Sequence, residues 1–442
     1  MVLLTGEIVC SWLDHGSDST GAALSPRTTH NICSTNSSGV SQYMQKLANR
    51  LERLGTETAF SVAQAAAAWK AKGNLVYPFH LGDINIPTAP HIVEAMNKAI
   101  ADGYTGYCPG PGIPQLREAL AEDIGSRRGM EFSPENVVVM TGGKPVITKF
   151  LQAVMNPGQE VLYPNPGFPI YESQIEYLGG TAVPYRYVPT STGFAIDLDQ
   201  VRASITPNTA AIIYNDLQNP ISAESTAAER EAIAQIAQEH DLWVLSDEAY
   251  FETRYEGVSS SITSLPGMAE RTVILYTFSK KFAMTGSRLG CAVAPLEIAK
   301  VLSTLNTNDE SCTTHYVQWA GIEALRGPQE PVRQMLDILK ERRDAACEIV
   351  NAIPGMSVAV PQSTFYLFPD VTEAMQRMGY TAVGDFASDA LYKTGVSFCT
   401  REHFGRRLPG EERQYIRLAY SGIEVPDIRD GLGRLREWIE TA

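Results

Sequence analysis

The chain has 442 residues, and its 36 Lys plus Arg against 50 Asp plus Glu give a formal charge of −14 with no long basic run, which argues against nucleic acid as a partner. No stretch approaches the roughly 20 apolar residues of a membrane helix, and "MVLLTGEIVC" has no basic flank and is broken by Gly6 and Glu7, so neither a membrane span nor a signal peptide is predicted. The seven cysteines, at 10, 33, 108, 291, 312, 347 and 399, are scattered and contain no C-x-x-C; they predict neither a disulfide framework nor a metal site, and they fit reduced thiols in a cytoplasmic protein.

At roughly 100 to 200 residues per domain, this length predicts two or three domains. Residues 1–39 include "GSDSTGAALSPRTTHNICSTNSSG", rich in Ser, Thr, Asn and Gly with no hydrophobic period, and read as a mobile extension without catalytic residues. Residues 40–80 read as an N-terminal arm. From Leu81 to Gly327 short β-branched runs alternate with helical stretches: "VVVM" then "KPVITKFLQAVM", "EVLY" then "FPIYESQIEYL", "AAIIYN" then "AAEREAIAQIAQEH", "LWVLSD", and "TVILYTFS". That alternation predicts an α/β fold, a mostly parallel sheet wrapped by helices. After Gly327-Pro328, the helical pattern "PVRQMLDILKERRDAACEIVNAI" leads to the short strands "FYLF" and "YIRLAY", a smaller α+β domain over 328–442. No internal repeat is present.

In open α/β sheets ligands bind outside the carboxyl ends of the strands. The polar residues that follow the apolar runs make one set: Thr141-Gly142-Gly143-Lys144, Asn219-Pro220, Asp247 with Tyr250, and Lys280 followed by Arg288. Together they suit a charged heterocycle that bears a phosphate. "TGGKP" opens a helix with a glycine pair and Pro145, so free backbone N–H groups and the helix dipole can face an anion, and Arg288 would add a bidentate cation. Taken alone, Gly-Gly before a helix is more often an ordinary strand-to-helix turn. A dinucleotide site is a poor rival, since no G-x-G-x-x-G follows a strand.

This set resembles the pyridoxal-phosphate aminotransferases of classes I and II, with the aspartate-aminotransferase-like fold, from about Gly55 to the C-terminus. The most specific match is "LYTFSKKFAMTGSRLG": Lys280 lies eight residues before Arg288, the family's spacing between the lysine that holds the cofactor and a phosphate-binding arginine. Lys281 is then expected to point elsewhere. Thr277 stands where the family usually has serine and keeps a hydroxyl for the phosphate. The resemblance implies that Asp247 pairs with the pyridine nitrogen and that Tyr250 and Asn219 serve the ring's phenolic oxygen. It also implies that Phe168 stacks on the ring and that Gly143 and Lys144 lie at the phosphate turn. Asn219 sits in "NPIS" where N-P-T-G is usual, which leaves the turn at Ile221 and Ser222 open. Tyr107 resembles the tyrosine that reaches the neighbouring subunit's phosphate, and so implies a homodimer. Gly82 matches the substrate loop and Arg417 the arginine that binds the substrate α-carboxylate.

The implied reaction is transfer of an α-amino group between an amino acid and a 2-oxo acid. The same fold also serves lyases, synthases and oxidases, and a non-catalytic regulator is a remote rival. For the donor's side chain, the resemblance puts Lys144 near the substrate's distal end, which favours a dicarboxylic acid, whereas Glu57 in the N-terminal substrate segment, and Asp309 and Glu310 in a stretch that the resemblance directs toward the partner's pocket, would suit a cationic one.

Overall fold

The run Val137–Met140 is apolar at every position, and both of its faces are covered. The computed structural model, which describes residues 46–55 and 58–442, places Val138 and Met140 in one core layer and Val137 and Val139 in the layer behind. The same division holds for Val273 and Leu275 against Ile274 and Tyr276. Side chains alternate across a strand, so a sheet with helices on both faces needs a continuous apolar run rather than an alternating one. The expectations for residues 1–39 and for Glu57 lie outside the described residues; the fold that follows is that of Ala48–Ala442.

A two-residue strand, β1 (Tyr77–Pro78), comes first. Eight strands follow: β2 (Val137–Met140), β3 (Glu160–Asn165), β4 (Thr181–Thr190), β5 (Gly193–Ile196), β6 (Thr209–Tyr214), β7 (Trp243–Asp247), β8 (Thr272–Thr277) and β9 (Gly290–Val293). They form one sheet in the order β2-β9-β8-β7-β6-β3-β4-β5. The pairs β8–β7, β7–β6, β6–β3 and β3–β4 are parallel, and β9 and β5 run against their neighbours. The mostly parallel sheet is therefore present, with an antiparallel strand inserted between β2 and β8. The connection from β8 to β9 holds only the four-residue helix Phe278–Lys281 and the turn Thr285–Ser287, not a full crossover helix, and the chain returns antiparallel beside β8.

The C-terminal part carries β10 (Tyr366–Leu367), β11 (Val396–Ser397), β12 (Cys399–Thr400) and β13 (Ile416–Ala419). β13 lies between β10 and β12, antiparallel to both, and the helices Glu330–Ala352 and Val425–Glu440 supply Leu339, Val350, Leu432 and Leu435 to its core. β1 pairs in parallel with β11, and Tyr77 and Phe79 enter this same core.

The topology brings several chain turns to one place. Asp247 ends β7, Thr277 ends β8, and the Thr141–Gly143 turn follows β2, all at the carboxyl end of the sheet. β13 brings Arg417 to the same region from the C-terminal part.

Candidate active site

A cavity of about 580 Å³ opens at the carboxyl ends of these strands. Gly82, Gly143, Lys144, Phe168, Asn219, Asp247, Tyr250, Thr277, Lys280, Arg288 and Arg417 all line it. Tyr107 is not among its walls and is 88 % exposed on this chain, and Thr141, Gly142 and Pro220 of the strand-end set lie outside the walls as well.

At the anion end, Gly143 caps the helix Lys144–Val154, and Pro145 occupies the first turn, where its missing N–H costs nothing. Gly142 has φ of +96°, and a Cβ there would collide with Arg288 Nη2. Glycine is thus what lets the arginine approach the turn. Arg288 itself sits in the left-handed region at φ of +52° and donates from Nη1 to the Thr285 carbonyl at 2.7 Å. Thr277 Oγ1 accepts from the Ser279 amide at 3.2 Å and lies 2.9 Å from the Ser279 hydroxyl, so two hydroxyls flank this end.

Asp247 forms the buried end. Its Oδ2 accepts from the Tyr171 phenol at 2.5 Å and its Oδ1 from the Ala249 amide at 3.1 Å, while Asn215 Nδ2 donates to its carbonyl at 2.9 Å. Burial pushes its pKa up to about 6, against the Tyr171 and Ala249 hydrogen bonds and the Lys280 charge, which lower it. Lys280 Nζ donates to the Gly82 carbonyl at 3.2 Å. Tyr250 shares a 2.7 Å hydrogen bond with Tyr366, and burial raises its pKa well above the usual phenol value.

Arg417 is 5 % exposed, and its guanidinium lies between the rings of Tyr366 and Phe404, at 4.6 and 4.7 Å from their centroids. Nη1 donates to Asn219 Oδ1 at 3.1 Å and Nη2 to the His80 carbonyl at 2.8 Å, whereas the buried Nε has no hydrogen-bond partner among the described residues. Asn219, with its oxygen so used, keeps its amide N–H groups as donors. The "NPIS" turn is also resolved. Ile221 is buried beside Phe368 and Phe404, and Ser222 adopts φ of +54°. Its hydroxyl is 2.6 Å from the Thr364 hydroxyl and donates to the Tyr366 carbonyl at 2.8 Å.

Lys281 lies away from the cavity, buried, with its Nζ donating to Asp123 Oδ2 at 3.4 Å. Asp309 and Glu310 do not line the cavity either. Both pair with the buried Lys149, at 3.3 and 3.0 Å, and Glu310 also accepts from the Thr141 hydroxyl. Sequence reasoning missed Tyr171, Asn215, Ser279, Tyr366, His80 and His403. Ser279 had a signal, a second hydroxyl beside Lys280, and so had Asn215, the polar residue that directly follows β6; the others reach the cavity only through tertiary packing.

The donor set fits a phosphorylated, cationic heterocycle: a glycine cradle at a helix N-terminus with an arginine and two hydroxyls, and a buried carboxylate at the other end. Among the described residues no cluster of His, Cys, Asp and Glu could hold a metal ion, and no helix is long and apolar enough to cross a membrane.

Fold and cavity together define an enzyme of the amino-group-transferring class, and comparison with known proteins supports this. Residues 77–435 match the aminotransferase class I and II family. The aspartate aminotransferase of Geobacillus stearothermophilus is 33 % identical over 397 residues, 89 % of this chain and 99 % of that one. A probable aspartate/prephenate aminotransferase of Aquifex aeolicus is 32 % identical over 401 residues, 89 % of this chain and 98 % of its own. Among solved structures, Thermus thermophilus aspartate aminotransferase with maleate superposes with a TM-score of 0.81 at 30 % identity, covering 89 % of this chain and all of that one. The chain belongs to the aminotransferase class I and II family, and it is a transaminase similar to aspartate aminotransferases.

Proposed function

We propose that the chain is a pyridoxal-phosphate-dependent aminotransferase that alternates between an amino acid and a 2-oxo acid, with a dicarboxylic acid as one of its partners. The observation that carries this reading is the convergence of Lys280, Asp247, Arg288 and Arg417 on one cavity. When bound, pyridoxal phosphate supplies an electron-withdrawing ring and the carbon that receives the amino group.

Each residue then has a task. Arg288, Thr277, Ser279 and the amides at Gly143 and Lys144 hold the phosphate, and Phe168 covers the ring. Asp247 pairs with the ring nitrogen; a cation there lowers the carboxyl pKa that burial raises, so the aspartate stays charged. Tyr171 fixes the orientation of that carboxylate. Tyr250 and the amide of Asn219 donate to the ring's phenolic oxygen. Arg417 seats the substrate carboxylate, which aligns the Cα–H bond, with Gly82 in the substrate loop beside it. Lys280 Nζ holds the cofactor between turnovers and, once released, takes and returns the Cα proton, a general-base contribution of typically 10² to 10⁴-fold.

The dicarboxylic preference rests on charge. Lys280 and Arg288 serve the cofactor and Arg417 the α-carboxylate, so Lys144 is the lining cation that bears on a second carboxylate, and on this chain the acids that would favour a cationic donor, Asp309 and Glu310, are engaged by Lys149. The exposure of Tyr107 supports a homodimer in which this side chain reaches the partner's phosphate. The five described cysteines, Cys108, Cys291, Cys312, Cys347 and Cys399, are free thiols, which supports a cytoplasmic location.

The test has two arms. Borohydride reduction of the loaded enzyme followed by peptide mapping labels Lys280, and aspartate or glutamate outruns alanine and arginine as donor with one common 2-oxo acid. Label on Lys281, or ammonia released without an acceptor, overturns the reading.

A further inference from the structure

Two histidines, His80 and His403, line the cavity near Arg417, and the reaction just described uses neither. His80 is closed off. Its Nδ1 lies 2.7 Å from the Ser397 hydroxyl, its carbonyl is taken by Arg417, and burial, with Arg417 second, pushes its pKa down to about 4.

His403 is differently placed. It belongs to the short turn Arg401–Phe404, and its Nδ1 accepts from the Thr400 backbone N–H at 3.0 Å, one half of a reciprocal cap. The Thr400 hydroxyl and carbonyl also approach this nitrogen, at 2.9 and 3.3 Å. A backbone N–H can only donate and a backbone carbonyl can only accept; of these two one-way contacts the amide's, at 3.0 Å against 3.3 Å, is the shorter, which favours Nδ1 as the acceptor with the ring proton on Nε2. Burial lowers the ring's pKa, with Arg417 acting in the same direction and Thr400 and Glu402 against, which favours the neutral form. The hydrogen bonds of His403 among the described residues all fall on Nδ1. Its neighbour Phe404 is the ring packed under the Arg417 guanidinium, so the cap that fixes His403 also sits beside the carboxylate seat. A carboxylate offers about four acceptor sites, more than a guanidinium already bonded to Asn219 and His80 fills.

We propose that His403 is a further substrate-binding residue: held as the Nδ1-acceptor tautomer by the Thr400 amide, it donates from Nε2 to the substrate carboxylate seated on Arg417. This rests on the reading of Arg417 as that seat.

The experiment titrates the cofactor-loaded enzyme calorimetrically with maleate, a dicarboxylate without an amino group to transfer. His403→Gln keeps an acceptor for Thr400 and an N–H for the carboxylate. His403→Glu keeps only the acceptor, and His403→Phe loses both without adding charge. Maleate binding by His403→Gln should stay within about 3-fold of the unmodified enzyme, whereas His403→Phe should bind about 10-fold more weakly or worse, the usual worth of a hydrogen bond to a charged group. His403→Glu should bind weakest while matching the Tm of His403→Gln, and the loss in turnover should fall on KM for the amino acid rather than on kcat. If His403→Glu and His403→Phe bind maleate as His403→Gln does, or if affinity simply follows Tm across the three, the proposal is overturned. The carboxylate seat itself fails separately: Arg417→Ala that still binds maleate at full strength would sink the seat, whatever His403 does.

Discussion

The phenol of Tyr171 donates to Asp247 Oδ2 across 2.5 Å, and neither side chain is more than 5 % exposed. Burial drives the Asp247 carboxyl toward its neutral form, and this hydrogen bond is the largest of the influences that oppose it. Tyr171→Phe removes that opposition, so the Asp247 pKa rises further and the carboxylate is protonated over more of the neutral range. We expect kcat/KM near neutrality to fall about 10-fold, in line with the loss of one charge-assisted hydrogen bond, and the acidic limb of its pH profile to move upward. An unchanged profile would show that the phenol does not govern Asp247.

The same carboxyl sets a pH window for cofactor stabilisation. In the cofactor-free chain the folded pKa of Asp247, about 6, lies above the ordinary value of 3.8. The folded state therefore holds this proton more tightly than the unfolded one. That contribution is fully present below 3.8 and is lost as pH rises through 6, roughly 3 kcal/mol in all. Asp216 is also pushed up to about 6, but it lies beside Arg230 outside the cavity. A cationic ring nitrogen relieves only Asp247. The Tm gain on loading pyridoxal phosphate should thus be larger at pH 7.5 than at pH 5, and Asp247→Asn should abolish the difference.

Ser222 carries a cost that its hydroxyl offsets. A non-glycine residue in the left-handed region costs about 1 to 2 kcal/mol, and two hydrogen bonds at about 1 kcal/mol each return a similar amount. Ser222→Gly removes both and should leave stability within about 1 kcal/mol. Ser222→Ala removes the bonds, keeps the strain, and should be the less stable variant by about 1 kcal/mol or more in urea denaturation. An alanine variant as stable as the glycine one would contradict this balance.

Much of the site was legible where chemistry follows a strand end directly. Lys280 and Arg288 were readable because their eight-residue spacing matches that of the family the sequence resembles, and Asp247 because it closes an apolar run. Tyr171 was not, because within "FPIYESQIEYL" it is one more aromatic on a helix, and only the stacking of that helix on the sheet aims it at Asp247. Tyr366 read as part of a small strand in "FYLF". Its two roles, beside Arg417 and hydrogen-bonded to Tyr250, depend on a long-range approach that no local pattern encodes. Asp309 and Glu310 were readable as acids but not as partners, since Lys149 lies 160 positions earlier on the phosphate-turn helix (309 − 149).

The adjacent lysines separate by burial. Lys280→Ala should lose turnover and the label introduced by borohydride. Lys281→Met should keep both, because its ammonium lies over the Phe282 ring at 4.8 Å and faces Asp123 rather than the cavity. Removing one member of a buried pair is costly when the other charge is left alone. Asp123 retains Arg127 at 2.9 Å, so the change in stability should stay near about 1 kcal/mol. A Lys281→Met enzyme that folds normally but neither takes the label nor turns over would reverse the assignment.

Lys144 and Glu310 give opposite expectations for donor choice, and the geometry separates them. Lys144 lines the cavity with its Nζ 5.6 Å from the centre of the Phe168 ring, whereas Glu310 is turned toward Lys149 and Thr141. If Lys144 meets the distal carboxylate, Lys144→Ala should lower kcat/KM for aspartate about 10-fold or more while alanine turnover falls far less, since only the second carboxylate loses a partner. Uniform loss with both donors would assign the lysine to the cofactor instead. Glu310→Gln should not alter the ratio of aspartate to arginine turnover. It weakens the bond to Lys149, whose side chain is 3 % exposed and keeps Asp309 at 3.3 Å, and the effect should appear as a Tm lowered by a few degrees. An unmodified enzyme that prefers arginine, with that preference lost in Glu310→Gln, would mean that Glu310 reaches the donor and that the dicarboxylic reading is wrong.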